Sequence, residues 1–168
     1  FYRNVQKAAV EYAAKHGKPD VIYASSVHPL TLVAGIRLAK RFGVKCICEV
    51  RDLWPESIVA YSSCFTKKNP LIRLLYQGEK WIYKKADALV FTMEGAYDYI
   101  VEQGWEKDIP RSKVHYINNG VDLELFDYNK EHFRVEDPDL DDPNIFKVVY
   151  TGSVRRVNNL GLLLDAAK

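Results

Sequence analysis

The 168-residue chain reads as an α/β fold, a parallel sheet with helices on both faces. Three observations predict it. Short apolar runs at 20–25, 44–50, 87–92 and 113–118 alternate with amphipathic stretches at 28–43, 70–86 and 93–105. Each link between runs is long enough for the crossover that a parallel strand pair requires. The runs "DVIYAS", "CICEV" and "DALVFT" are also almost continuously apolar, which suits strands covered above and below.

Each element carries its own signals. The opening stretch "FYRNVQKAAVEYAAKHG" is a charged amphipathic helix ending at Gly17. In "HPLTLVAGIRLAKRFG", Leu30, Val33, Ala34, Ile36 and Leu38 recur at helical spacing. Pro29 suits the first turn, Lys40 and Arg41 favour the negative end of the helix dipole, and Gly43 can take a left-handed cap. The stretch "PLIRLLYQGEKWIYKKA" lines up Leu71, Leu74, Leu75, Gly78, Trp81 and Ile82 as one stripe, expected to face the core. Thr92 is the expected N-cap of the helix at 93–105.

Composition changes after Asn118. Residues 127–144, "DYNKEHFRVEDPDLDDPN", are acidic, proline-containing and poor in aliphatics, as a solvated connection would be. Residues 145–168 hold an expected strand at 147–151, a glycine loop and the first turns of a helix, too little to close a core. The organisation read from this is a partial domain at 1–122, a linker at 123–144 and the start of a second domain at 145–168. The chain is accordingly expected to be a piece of a larger protein, silent in catalysis by itself.

Lys and Arg number 24 against 22 Asp and Glu, a net charge of +2 that gives no sign of a nucleic-acid partner. No apolar run approaches the roughly 18 residues of a membrane span, and the N-terminus does not resemble a signal sequence, so a cytoplasmic location is expected. Cys46 and Cys48 point to one strand face as small apolar groups, Cys64 lies in a polar loop, and no metal-ligand spacing occurs.

In open parallel sheets ligands bind beyond the carboxyl ends of the strands. Ser25, Ser26 and His28 lie there beside a helix N-terminus suited to sugar hydroxyls or an anion; alternatively a serine caps that helix and His28 is simply exposed. In "RDLWPES", Arg51 is a forked donor for carboxylates or phosphates, Asp52 an acceptor for hydroxyls, and Glu56 lies in a first helical turn. The competing reading makes Arg51 and Asp52 a structural ion pair, with Trp54 filling a gap. Asn119 and Gly120 form a turn signal, since both tolerate positive φ, with Asp122 following. In "TGSVRR", Gly152 allows close approach of a ligand to the backbone, while Arg155 and Arg156 are either phosphate contacts or a solvated basic pair.

Taken in order, "DVIYASSVHPLTLVAGIRLAKRFGV", "CEVRDLWPES", "KKADALVFTMEGAYDYI", "NNGVDLELF" and "VVYTGSVRRVNNLGLLLDAA" resemble the group 1, or family four, glycosyltransferases, especially bacterial capsular and lipopolysaccharide enzymes. The resemblance implies a two-domain architecture of Rossmann-like halves, an N-terminal acceptor side and a C-terminal nucleotide-sugar side. It implies sugar transfer with retention of configuration, no metal and no cofactor, and a glycan or lipid-linked acceptor. Peripheral association at the inner face of a membrane is also implied.

Carried over by position, the substrate-binding set is Ser25, Ser26, His28, Arg51, Asp52, Glu56, Asn119, Gly120 and Asp122. Gly152, Ser153, Arg155 and Arg156 are the donor-phosphate set. No catalytic residue is assigned; His28, Arg51 and Asp52 are the cleft candidates. Arg51-Asp52 stands where many relatives carry His-Asp, and Ser153 with Asn158-Asn159 stands where they carry phosphate-contacting basic residues. An epimerase of the same architecture and a non-catalytic glycan- or partner-binding domain are the alternatives.

Overall fold

A computed structural model describes residues 2–26, 28–62, 64–154 and 158–167. The chain divides into two compact units, residues 1–119 and 120–168.

In the first unit the elements run α1 (Tyr2–His16), β1 (Val21–Ser25), α2 (Pro29–Phe42), β2 (Lys45–Val50), α3 (Trp54–Tyr61), α4 (Pro70–Lys85), β3 (Ala88–Phe91), α5 (Ala96–Glu102) and β4 (Val114–Tyr116). The four strands pair in chain order and all in parallel. Ala24 lies opposite Cys48, Cys48 opposite Leu89, and Leu89 opposite Val114, which puts these residues on one face. With Cys46, Val50 and Phe91 they are buried there, and right-handed crossovers in this order bring the connecting helices to that face. The opposite face is uneven. Val90 is buried on it, whereas Val21 and Tyr23 at the β1 edge are exposed. On this face burial is thus found at β3 and not at the β1 edge.

Helix α2 starts and stops as its sequence predicts. Pro29 occupies its first turn, and Gly43, at φ 64°, turns the chain out through a left-handed cap whose N–H reaches the Ala39 and Lys40 carbonyls. Gly35 lets α2 lie directly on β1, because a Cβ there would stand 2.5 Å from the Ala24 Cβ. Helix α1 is tied to α2 by Gln6 Nε2, which donates to the Ala34 carbonyl at 2.8 Å, and by Arg37, which donates to the Tyr2 hydroxyl at 2.9 Å.

The turn into β3 is held by Asp87, which accepts from the Cys46 N–H and from Lys45 Nζ, both at 2.8 Å. Partial desolvation opposes its charge, but these donors prevail and hold the carboxyl below its ordinary range. Cys46 and Cys48 are buried with their sulfurs 3.8 Å apart, as apolar packing groups.

Three expectations need correction. The core face of α4 is Ile72, Tyr76, Glu79, Ile82 and Tyr83, while Leu71, Leu74, Leu75 and Trp81 of the expected stripe are exposed. The reason is aromatic packing: Tyr83 meets Phe91 and Trp105 edge-on at ring centroids of 5.5 and 6.2 Å, and Tyr99 meets Trp105 at 6.0 Å. Thr92 does not cap α5, because the helix begins only at Ala96, with Gly95 at φ 76° as its N-cap. Residues 147–151 form no strand, and Val148 and Val149 are exposed, because this unit supplies no described strand to complete a ladder.

The second unit contains α6 (Leu123–His132), α7 (Pro138–Asp141) and α8 (Leu160–Ala166), none with a buried residue. Among the described residues no helix is long and apolar enough to cross a membrane.

Gly35→Ala is expected to destabilise the first unit by about 1–3 kcal/mol despite the better helix propensity of alanine, since neither the helix backbone nor the Ala24 Cβ can move aside cheaply. Urea unfolding monitored by circular dichroism measures the loss.

Candidate functional site

All four strands point the same way, so their carboxyl ends share one edge of the sheet. Ser26 organises that edge. Only 2% exposed, it extends the β1–β2 ladder by donating its N–H to the Glu49 carbonyl at 2.9 Å. Its hydroxyl then accepts the Arg51 N–H at 2.9 Å. This fixes the backbone from which the Arg51 and Asp52 side chains emerge, both exposed. No ion pair joins these two among the described residues, which removes the structural-pair reading. Ser25, the last residue of β1, stands opposite Glu49 and alternates to the face away from Ala24.

His28 proves to be the N-cap of α2, a place the sequence suggested for a serine. Its Nδ1 accepts the Leu30 N–H at 3.2 Å, so the neutral ring carries its proton on Nε2 and offers a donor outward. Its ring lies 5.5 Å from that of Trp54, tilted by 58°. Trp54 opens α3 and is followed by Pro55 in the first turn. Glu56 turns to Lys67 Nζ at 2.5 Å and Gln103 Nε2 at 3.3 Å, where it links α3 to α5.

Beneath this edge is a cavity of about 500 Å³ between α2, α3 and α4. Ser26, His28, Asp52 and Trp54 line its polar end, and side chains such as Val33, Ile58 and Leu74 line the remainder. The Trp54 indole N–H is buried with no hydrogen-bond partner among the described residues. An unmade buried bond of this kind costs about 1–3 kcal/mol and favours any ligand that supplies an acceptor.

The sequence reading missed Glu79, a buried carboxylate on the cavity wall. Its oxygens accept the Tyr83 and Tyr99 hydroxyls, each at 2.7 Å. Burial pushes its carboxyl above the ordinary range, and the two phenols, which favour the charged form, offset only part of this. The available signal was Glu79 four residues before Tyr83, one helical turn along the same face.

At the far end of the edge, the Ile117 N–H bonds the Phe91 carbonyl at 3.0 Å, so β4 delivers Asn118 and Asn119 to the same rim as β1 and β2. Neither Asn119 nor Gly120 takes positive φ, contrary to the expected turn, and the chain leaves the strand without one.

In the second unit, Asp122 caps α6 by accepting the Leu125 N–H at 3.0 Å. Gly152 has φ 155°, with the Tyr150 hydroxyl 2.9 Å from where a Cβ would lie. The Ser153 carbonyl accepts from Asn158 Nδ2 at 2.6 Å, and the same amide reaches the Tyr150 hydroxyl at 2.5 Å. Arg155 and Arg156 lie outside the described residues.

Ser26→Ala leaves the Arg51 N–H without its acceptor and is expected to cost about 1–3 kcal/mol in chemical denaturation. For Glu79, whose folded value is raised, the stabilising contribution is complete below the unfolded value of about 4.3 and fades as pH rises through the folded value. Glu79→Gln, which cannot ionise, is therefore expected to improve relative to the wild type between pH 4 and pH 7. Parallel urea melts across that range check the sign.

A family model described as a glycosyl transferase 4-like domain matches residues 1–120, which include the whole four-stranded sheet and the rim just described. No curated protein matches the chain at significant similarity. With the matched region spanning most of the sequence and all of the first unit, the chain belongs to the glycosyl transferase 4-like family.

Proposed function

We propose that the protein moves a hexose from a nucleotide-sugar donor to a glycan or lipid-linked acceptor, with retention of configuration, in the assembly of a bacterial surface polysaccharide. One observation carries the reading. A glycosyl transferase 4-like sheet presents Ser26, His28, Arg51 and Asp52 on one edge above a cavity of about 500 Å³, a volume typical of small-molecule sites.

The chemistry is consistent with such an edge. Cleavage of a glycosyl phosphate builds positive charge on the sugar and negative charge on the departing phosphate, so fixed donors at the phosphate lower the barrier. Arg51 provides a forked cation there, His28 an outward N–H, and Asp52 an acceptor that orients a sugar hydroxyl. Gly152, Ser153, Arg155 and Arg156 are proposed as a donor-phosphate set on the sequence resemblance alone. Departure and attack on the same sugar face make the leaving phosphate the proton acceptor, so the scheme uses neither a protein base nor a metal. The proposed location is the cytoplasm, at the inner face of a membrane.

Mass spectrometry of the intact protein with a panel of nucleotide sugars and acceptors is expected to detect a glycosylated acceptor, with the donor's anomeric configuration seen by NMR. Arg51→Ala is expected to lower kcat/KM about a hundredfold without shifting the melting temperature, since the backbone N–H held by Ser26 is still present. Epimerised free sugar in place of transfer would make the protein an epimerase, and no turnover across the panel would overturn the proposal.

A further inference from the structure

We infer that the cavity below the rim receives an aliphatic chain, so that the acceptor is amphipathic, with its reacting polar head at Ser26, His28 and Asp52 and its tail between α2 and α4. The inference rests on the proposed transfer reaction and narrows its acceptor to one class.

The shape of the chemistry supports it. Most of the cavity wall is apolar: Ser26, His28 and Asp52 stand at the sheet edge, Arg37 lines it farther along α2 with its guanidinium engaged by the Tyr2 hydroxyl, and Val33, Ile58, Leu74, Leu75 and Trp81 make up much of the rest. A free oligosaccharide would leave most of its hydroxyls unpaired against such walls, at a cost for each. An alkyl chain meets no such penalty, and it is continuous with the head that the rim would hold. Glu79 does not contradict this, because both of its oxygens are occupied by tyrosine hydroxyls and burial favours its neutral form.

Gly78 is the second, independent observation. Glycine in a helix interior is unfavourable by about 1 kcal/mol relative to alanine, so a mid-helix glycine calls for a reason. At Gly35 the reason is contact with β1. At Gly78, which lines the cavity, a Cβ would meet nothing within 4 Å, so no neighbour requires its absence. What the missing side chain preserves is the open width of the groove. The exposed Leu74, Leu75 and Trp81 beside it extend the apolar path to the surface.

The test is equilibrium binding without donor, read by the fluorescence of Trp54 and Trp81 as glucose, hexyl glucoside and octyl glucoside are titrated below their micelle concentrations. Octyl glucoside is expected to bind saturably, hexyl glucoside about fifteenfold more weakly at roughly fourfold per buried methylene, and glucose without measurable signal. Gly78→Phe, which fills the groove, is expected to weaken octyl glucoside at least tenfold while the protein melts normally. Should that variant not fold, the double variant Leu74→Glu, Leu75→Glu at the exposed rim is expected to produce the same loss. Equal binding by wild type and folded variants, or no saturable binding of octyl glucoside, overturns the inference. So does co-sedimentation with phosphatidylcholine–phosphatidylglycerol vesicles, or a dimer dissolved by the rim substitutions, in the absence of monomer binding. These failures leave sugar transfer standing, whereas an enzyme that binds the alkyl glucoside and transfers no sugar refutes the proposed function instead.

Discussion

Parallel pairing in chain order is the constraint from which the rest follows. Four strands aligned this way put every carboxyl end on one edge, so residues far apart in sequence, Ser26 and His28, 51–54 and 117–119, emerge along that edge. The same order directs the connecting helices to one face, where the buried side chains of the sheet lie. The cavity is lined by residues of α2, α3 and α4 together with Ser26, Val50 and Asp52 at the strand ends. Reversing any one strand would remove both the shared edge and the hollow beneath it.

The edge would be only a set of loose loops without Ser26. A serine hydroxyl accepting the Arg51 N–H carries the β1–β2 register one step beyond the last ladder bond. That step turns two consecutive charged residues into a fixed pair of directions, with both charges left open to solvent. Such rigidity is what a binding edge needs, since an exposed arginine on a mobile backbone would lose entropy on every engagement. The buried hydroxyl thus fixes the directions of Arg51 and Asp52 through backbone geometry.

How much of this was legible in the sequence depends on the kind of force involved. The strands and α2 could be read because periodicity, Pro29 and Gly43 act locally and agree with one another. The rim loops could be read because the edge follows from strand direction alone. The buried face of α4 could not. Helical spacing of apolar side chains selects Leu71, Leu74, Leu75 and Trp81, whereas the helix buries Tyr76, Glu79 and Tyr83, a choice that becomes favourable only when Phe91, Tyr99 and Trp105 supply ring edges and a second phenol. Those partners come from other elements, so no window along α4 reports them. His28 as a cap is a similar case: the serines beside it are better capping residues on average, but Ser26 was already committed to Arg51. The failed strand at 147–151 shows the converse, local β propensity with no neighbour to satisfy it.

Glu79 shows why the two sides of α4 must be considered together. A carboxylate under 10% exposed is tolerable only with donors at both oxygens, and the Tyr83 and Tyr99 hydroxyls supply them at 2.7 Å. Satisfying those donors rotates the helix so that its tyrosines go inward. The leucines and Trp81 then have no place in the core and are carried outward, beside the mouth of the cavity. The apolar surface that extends the groove is therefore a consequence of burying a polar network, and the two features cannot be varied independently. A helix that packed its leucines inward would expel Glu79 and close the space that Gly78 leaves open.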